Sequence, residues 1–127
     1  MKKLLVADDD PDILNAFVTF GETRGYDVVS ALNGERALVL AREHQPDVIL
    51  LDIMMPGIDG RDLIKKLRED GITRNAVVLF VSARDAQSDR LVGLELGADD
   101  YETKPLHFGR LFDKIERLLE KKATGEI

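Results

Sequence analysis

The sequence predicts a single α/β domain built on a doubly wound parallel sheet of five strands. Two observations lead to this fold class. Short apolar runs that suit buried strands alternate, along the whole chain of 127 residues, with longer segments whose apolar residues have helical spacing. Strands that alternate with helices form a parallel sheet, because each crossover helix must pack on one of its faces. The length suits one domain.

Each predicted element has local support in the sequence. The run DVILL (47–51) is continuously apolar after Asp47, as expected of a central strand covered on both faces. The first helix has Asp10 as its N-cap, Pro11 at its first position and Gly25 after its end. The predicted strands are Leu4–Ala7, Val28–Leu32, Asp47–Leu51, Ala76–Val81 and Asp100–Thr103. The predicted helices are Pro11–Arg24, Gly34–Glu43, Gly60–Glu69, Asp85–Leu96 and His107–Lys121, in a domain of residues 1–122 with a C-terminal tail at 123–127.

Composition narrows the possible functions. A net charge of −6 argues against direct binding of nucleic acid, which requires a clustered positive surface. There is no run of about 18 apolar residues, so no membrane span is predicted. The absence of cysteine excludes disulfides and thiolate metal sites, and it fits a cytoplasmic location.

Polar side chains follow the predicted strands at one edge of the sheet. Asp8 and Asp9 follow the first strand, and Asp52 follows the third. Ser82 follows the fourth strand and Lys104 the fifth. Ligands of such sheets bind outside the carboxyl ends of the strands, so these five side chains are expected to converge. Three acids in one cleft require a cation or shifted pKa values, and ligation by oxygen alone indicates Mg²⁺.

At these residues the chain closely resembles the CheY-like receiver domains of response regulators in two-component signalling. The resemblance covers residues 3–121 and rests on the motifs VADDD (6–10), LLDIMMPGIDG (50–60), FVSA (80–83) and GADDYETKP (97–105). It implies a flavodoxin-like fold with strand order 2-1-3-4-5. It also implies a phosphorylation-dependent switch that is phosphorylated by a histidine kinase or a phosphotransfer protein, and that catalyses its own phosphotransfer and dephosphorylation without being a turnover enzyme.

The resemblance assigns chemical roles to the residues at the strand ends. Asp52 matches the phosphoacceptor, and Lys104 matches the lysine that contacts the phosphoryl group. Asp9 and Asp52 match the acids that bind Mg²⁺ directly, whereas Asp8 matches a neighbour that acts through a bound water. Met54 lies where the family uses a backbone carbonyl as a metal ligand.

The resemblance also implies a conformational switch. Ser82 matches the hydroxyl that moves toward the phosphoryl group, and Tyr101 matches the aromatic residue that turns inward on activation. The peptide bond between Lys104 and Pro105 is expected to be cis, which costs little for a bond that precedes proline. Leu106 departs from the aromatic residue that usually follows the proline.

The stretch 89–105 is similar to receivers that dimerise through the fourth helix, fifth strand and fifth helix. In this chain, two pairs that would meet across such an interface carry like charges, Arg90 with Arg110 and Asp99 with Glu116. Like charges at an interface exclude a partner. We therefore expect a monomer or a weak dimer, and a different downstream protein at this face.

Two other classes of function share parts of the pattern. A phosphohydrolase that forms an aspartyl-phosphate usually has a second carboxylate two residues after its nucleophile, but that position is Met54 here. A flavin-binding electron carrier of similar topology needs a loop rich in serine and threonine after the first strand. The acidic run DDDPD (8–12) would repel the flavin phosphate there. Steady phosphatase turnover would favour the hydrolase, and a yellow protein would favour the flavin carrier.

Overall fold

A computed structural model describes residues 1–53, 55, 57–82 and 94–126 of the chain, and within them an α/β domain with a central sheet. The strands are β1 (Lys2–Ala7), β2 (Tyr26–Ala31), β3 (Val48–Asp52), β4 (Val77–Ser82) and β5 (Asp100–Thr103). The helices in the described ranges are α1 (Pro11–Thr23), α2 (Gly34–His44), α3 (Gly60–Glu69) and the C-terminal helix (Phe108–Ala123). None of the helices in this part of the chain combines the length and the apolar character needed to cross a membrane.

The sheet is parallel throughout and has the order β2-β1-β3-β4-β5, which confirms the predicted fold class. Ala7 pairs with Leu51, and Asp52 pairs with Val81. The carboxyl ends of β1, β3 and β4 therefore lie side by side at one edge of the sheet. The strand order reverses direction between β1 and β3, which is where sheets of this kind bind their ligands.

Two apolar clusters cover the two faces of the sheet. One cluster lies under α2 and α3, and the other lies under α1 and the C-terminal helix. The residues of β3 alternate between them, with Ile49 and Leu51 in the first and Val48 and Leu50 in the second. All four are at most 1% exposed, so the prediction of a strand covered on both faces is confirmed. Complete burial of such a side chain contributes roughly 1.5–3 kcal/mol.

Some predicted boundaries were wrong by one or two residues. Strand β2 begins at Tyr26 rather than Val28, because the buried Tyr26 ring packs edge-on against Phe112 of the C-terminal helix at 5.4 Å. Leu32, predicted to end that strand, lies outside it and is 52% exposed. The C-terminal helix continues to Ala123, past its predicted end at Lys121. Of the predicted fourth helix, residues 85–93 lie outside the described ranges.

Candidate functional site

Three carboxylates and one ammonium meet at the carboxyl edge of the sheet. Asp8 and Asp9 follow β1, Asp52 ends β3, and Lys104 follows β5. Each of the three acids offers a carboxylate oxygen, and these oxygens lie within 4.8 Å of one another. Lys104 Nζ lies 2.9 Å from Asp8 Oδ2 and 3.0 Å from Asp52 Oδ2. The structure thus brings together four residues from three distant segments of the chain, all of which were predicted to converge at this edge.

The two neighbouring acids of the β1–α1 turn differ in their surroundings. Asp8 is 3% exposed, and both of its oxygens are used within the protein. Its Oδ1 accepts the backbone N–H of Asp10 at 2.9 Å, and its Oδ2 accepts Lys104 Nζ. Asp9 is exposed. A hydrated cation can therefore reach the Asp9 carboxylate directly, whereas Asp8 is occupied in holding the turn and the lysine.

Local sequence explains how the turn presents these acids. Asp10 is the N-cap of α1, and its side chain accepts the backbone N–H of Asp12 at 2.9 Å. Pro11 occupies the first turn, where no backbone donor is needed. The chain therefore leaves β1 and enters α1 within three residues, Asp8, Asp9 and Asp10, and this short turn keeps the acids at the edge of the sheet.

Lys104 balances the charge of the buried acids. Burial by itself lowers the pKa of Lys104, but hydrogen bonds and charge attraction from Asp8 and Asp52 outweigh it, so the pKa is raised. Two carboxylates at about 4 Å repel by roughly 4 kcal/mol at an effective dielectric constant near 20. The Lys104 ammonium, which lies between them, offsets this repulsion.

The segment after Asp52 approaches the start of α3 closely. A Cβ added at Gly60 would lie 2.8 Å from Ile53 Cα and 3.0 Å from Asp52 O, which no side chain tolerates without a shift of backbone. Gly57 has a φ of +84°, in the region that favours glycine. The two glycines of the motif PGIDG thus hold the loop against the end of β3. Met54, the predicted source of a metal-binding carbonyl, lies outside the described residues.

The predicted switch residues lie on neighbouring strands. Ser82 is the last residue of β4 and pairs with Thr103 of β5, so it reaches the same edge as Asp52. Tyr101 is 8% exposed and belongs to the apolar cluster under α2 and α3. Its ring is therefore already directed inward in this structure. The bond between Lys104 and Pro105 is cis, as the resemblance implied.

Two arginines that the sequence reasoning missed hold acids of the predicted partner face. Arg68 of α3 donates to Asp99 Oδ2 at 3.0 Å, across 31 positions of sequence. Arg24, the C-cap of α1, donates to Glu116 Oε1 at 3.0 Å, across 92 positions. No local signal identifies such pairs, since they depend on how the helices pack. Arg90 lies outside the described residues.

The chain is similar in sequence to known proteins of one family. The model of the response regulator receiver domain family matches residues 4–116. The alkaline phosphatase synthesis transcriptional regulatory protein PhoP of Bacillus subtilis is 39% identical over 120 residues, which are 94% of this chain and 49% of PhoP. The response regulator PleD of Caulobacter vibrioides is 40% identical over 119 residues, which are 91% of this chain and 26% of PleD. The chain thus spans about half, or about a quarter, of the length of these relatives.

A solved structure extends the likeness to the whole fold. The receiver domain protein (CheY-like) of Methanospirillum hungatei JF-1 superposes with a TM-score of 0.92 at 26% identity. The superposition covers 98% of both chains. The two proteins therefore share the same fold.

Proposed function

This chain belongs to the response regulator receiver domain family, the signalling switches of two-component systems, and we propose that it accepts a phosphoryl group on Asp52 from a histidine kinase or a phosphotransfer protein. The observation that carries this assignment is the position of the Lys104 ammonium, 2.9 Å from Asp8 Oδ2 and 3.0 Å from Asp52 Oδ2. An acceptor carboxylate beside a fixed cation is the arrangement that transfer of an anionic group requires.

In the proposed reaction, an Asp52 carboxylate oxygen attacks the phosphorus of the donor. A new O–P bond forms as the bond from phosphorus to the donor nitrogen or oxygen breaks, and the donor leaves with the electron pair. Lys104 then donates to a phosphoryl oxygen while it keeps its hydrogen bond to Asp8. The Ser82 hydroxyl, at the end of β4, supplies a second donor. The chain itself provides these groups, so small acyl phosphates also serve as donors, and the domain also catalyses its own dephosphorylation.

The donor set fits a hard divalent cation. All three acids offer oxygen, within 4.8 Å of one another, and oxygen is the ligand that Mg²⁺ prefers. We assign Asp9 and Asp52 as direct ligands together with the Met54 backbone carbonyl. Asp8 acts through a water, because its own oxygens already accept Lys104 and the Asp10 N–H. When bound, Mg²⁺ supplies positive charge that offsets the negative charge of the acids and of the phosphoryl group.

The output of the switch is a changed surface. Ser82 moves toward the phosphoryl group, and Tyr101 holds its inward position more firmly as a result. We assign the downstream protein to the face formed by the fourth predicted helix, β5 and the C-terminal helix. The domain works as a monomer or a weak dimer, in the cytoplasm, with no direct contact to nucleic acid.

Acetyl phosphate tests the assignment without a cognate kinase. Mass spectrometry should find a phosphoryl adduct on the peptide that contains Asp52, and only when Mg²⁺ is present. Asp52→Asn should abolish the adduct. Asp27→Asn, which neutralises an exposed acid of β2, is the matched control and should leave it unchanged. An adduct that persists in Asp52→Asn, on any other peptide, would show that the acceptor lies elsewhere.

A further inference from the structure

The C-terminal helix separates its charges into two stripes of opposite sign. Both stripes have the spacing of three or four residues that keeps side chains on one face of a helix. The basic stripe consists of Arg110, Lys114, Arg117 and Lys121. The acidic stripe consists of Asp113, Glu116 and Glu120. The two stripes are neighbours on the solvent side of the helix. The apolar side lies away from both, is buried against the sheet and consists mainly of Leu111, Phe112, Ile115 and Leu118.

Two members of the acidic stripe form ion pairs with another helix of the protein. Arg24 Nη2 lies 2.8 Å from Asp113 Oδ1 and 3.0 Å from Glu116 Oε1. These contacts join α1 to the C-terminal helix and direct both acids toward α1. Asp113 stands four positions before Arg117, yet no ion pair links these two described residues. Asp113 and Glu116 therefore pair with Arg24 rather than with the basic stripe.

Among the described residues, Lys114 is the member of the basic stripe that bonds to another element, and its Nζ also lies 3.9 Å from Asp100 Oδ2. Lys114 Nζ lies 2.8 Å from Glu102 Oε1 and donates to Tyr101 O at 3.4 Å. The other three members, Arg110, Arg117 and Lys121, are exposed, and none forms an ion pair within the part of the chain that the structure describes. The stripe thus starts beside the strand that carries Tyr101 and extends along solvent.

Charge pairs along the helix account for this arrangement only in part, although Arg117 has Asp113 four positions before it and Glu120 three positions after it. Arg110 and Lys114 are four positions apart, as are Arg117 and Lys121, and like charges at this spacing destabilise a helix. The whole chain has 24 acidic and 18 basic residues, so an exclusively basic helix face runs against its composition. A surface of one charge sign that is opposite to the overall charge offers electrostatic complementarity to an acidic partner.

We propose that the basic stripe docks a short acidic segment of the downstream protein. This inference rests on the proposed function, since it names the chemistry of the partner at the output face. The stripe is roughly 16 Å long at 1.5 Å per residue, which matches one short helix or extended segment. Duplex DNA and anionic bilayers fit less well. They would bring dense negative charge within a Debye length, about 8–10 Å, of a domain whose net charge is −6.

The probe is a helical peptide of glutamate and alanine, about 12 residues long so that it spans the stripe. Titration into the domain, followed by amide chemical shifts, should shift residues 110–121 and residues of β5. The double variant Arg110→Glu, Arg117→Glu should weaken the apparent affinity by about tenfold or more, because two attractions become repulsions. The matched control is Lys65→Glu, Lys66→Glu on the exposed side of α3, which changes the net charge equally and should have much less effect.

Equal weakening in both variants would overturn the proposal, because net charge alone would then explain binding. Tighter binding of a short DNA duplex or of phosphatidylserine vesicles to the same residues would also overturn it. So would self-association by sedimentation that is lost in the stripe variant, since a second copy would then be the occupant. The neutral double variant Arg110→Gln, Arg117→Gln should show an intermediate loss of peptide affinity. It takes the place of the charge-reversed double variant if the latter misfolds.

Modification of Asp52 by acetyl phosphate is measured in the same samples. It should be unchanged in the stripe variant, because Arg110 and Arg117 lie outside the acid cluster. Failure of wild-type modification would reject the proposed function, whereas normal modification without peptide binding would reject only the acidic partner.

Discussion

Two triads in this protein place one cation between two carboxylates, with nearly equal distances but very different exposure. The site triad consists of Lys104, Asp8 and Asp52. The helix triad consists of Arg24, Asp113 and Glu116. The nitrogen–oxygen distances are 2.9 and 3.0 Å in the site triad and 2.8 and 3.0 Å in the helix triad. The carboxylate side chains are 4% and 6% exposed in the former but 66% and 45% exposed in the latter.

Burial, rather than the nitrogen–oxygen distances, therefore determines how strongly each triad affects stability. Water screens the helix triad, and exposed pairs of this kind contribute little to stability. In the site triad the surrounding strands exclude water, so loss of Lys104 leaves two buried carboxylates with no opposite charge in the triad. The helix triad joins two helices, whereas the site triad places a cation beside two buried acids at the edge where the proposed chemistry takes place.

The largest effect is expected from Lys104→Met, which keeps side-chain length and removes the charge. We expect a loss of about 2 kcal/mol in unfolding free energy, below the 3–5 kcal/mol typical of a fully buried pair because Lys104 retains 20% exposure. Urea denaturation measures the loss. Mg²⁺ should restore part of it, since a bound cation replaces the missing charge. An equal loss in Arg24→Met would contradict the distinction between the triads.

The next effect concerns the metal. Asp9→Asn should weaken Mg²⁺ binding by about tenfold, because it removes the exposed carboxylate that a hydrated ion reaches directly. Isothermal calorimetry measures the affinity. Asp12→Asn is the control, since Asp12 is an exposed acid in the first turn of α1 and lies outside the cluster. Equal affinity in Asp9→Asn and wild type would remove Asp9 from the ligand set.

A smaller and opposite effect is expected from Asp52→Asn in the absence of metal. Three carboxylates lie within 4.8 Å of one another, with one ammonium between two of them. Neutralising Asp52 removes its repulsion from the other two acids but also its attraction to Lys104, so we expect a net rise of about 1 kcal/mol in the unfolding free energy. Saturating Mg²⁺ should reverse the order of the two proteins. A stability decrease without metal would show that the acids do not repel as their positions imply.

The dependence of stability on alkaline pH should also differ between the two triads. The pKa of Lys104 is raised, so its stabilising contribution is complete below its ordinary value of 10.5 and is lost as pH rises through the folded-state value. Burial also raises the pKa of Tyr26 above 10.0, which acts in the same direction. Hydrogen bonds to Asp113 and Glu116 raise the pKa of Arg24, so the helix triad stays charged throughout. Stability should therefore fall above about pH 10, and less steeply in Lys104→Met.

The smallest effect is expected from Arg24→Ala. It should lower stability only slightly at low salt, and the loss should vanish near 1 M NaCl, where the Debye length is about 3 Å. Thermal denaturation at low and high salt provides the comparison, with Lys104→Met as the reference. Because water already surrounds the helix triad, a large salt-independent loss in Arg24→Ala would mean that packing of its alkyl chain on the Phe20 ring matters more than charge.

The central part of the fold could be predicted because its signals are local. The continuous apolar run of β3 permits only a strand covered on both faces, and the Asp10–Pro11 cap starts α1 where it was expected. The start of β2 was missed because this strand lies at the edge of the sheet. Its burial alternates irregularly, and Tyr26 enters it only through packing against a helix that lies far along the chain.

The alternation of strands and helices was enough to predict which side chains reach the carboxyl edge, because it dictates the direction of every strand. These side chains belong to Asp8, Asp9, Asp52 and Lys104. Which of these charges pair with one another depends on the tertiary structure. Lys104 donates to Asp8 and Asp52, whereas Asp9 is exposed. Helix packing likewise turned the acidic stripe of the C-terminal helix toward Arg24. The reason is the sequence separation of the interacting residues. Backbone periodicity is set by residues a few positions apart, whereas the ion pair between Arg24 and Glu116, across 92 positions, exists only after the helices have packed.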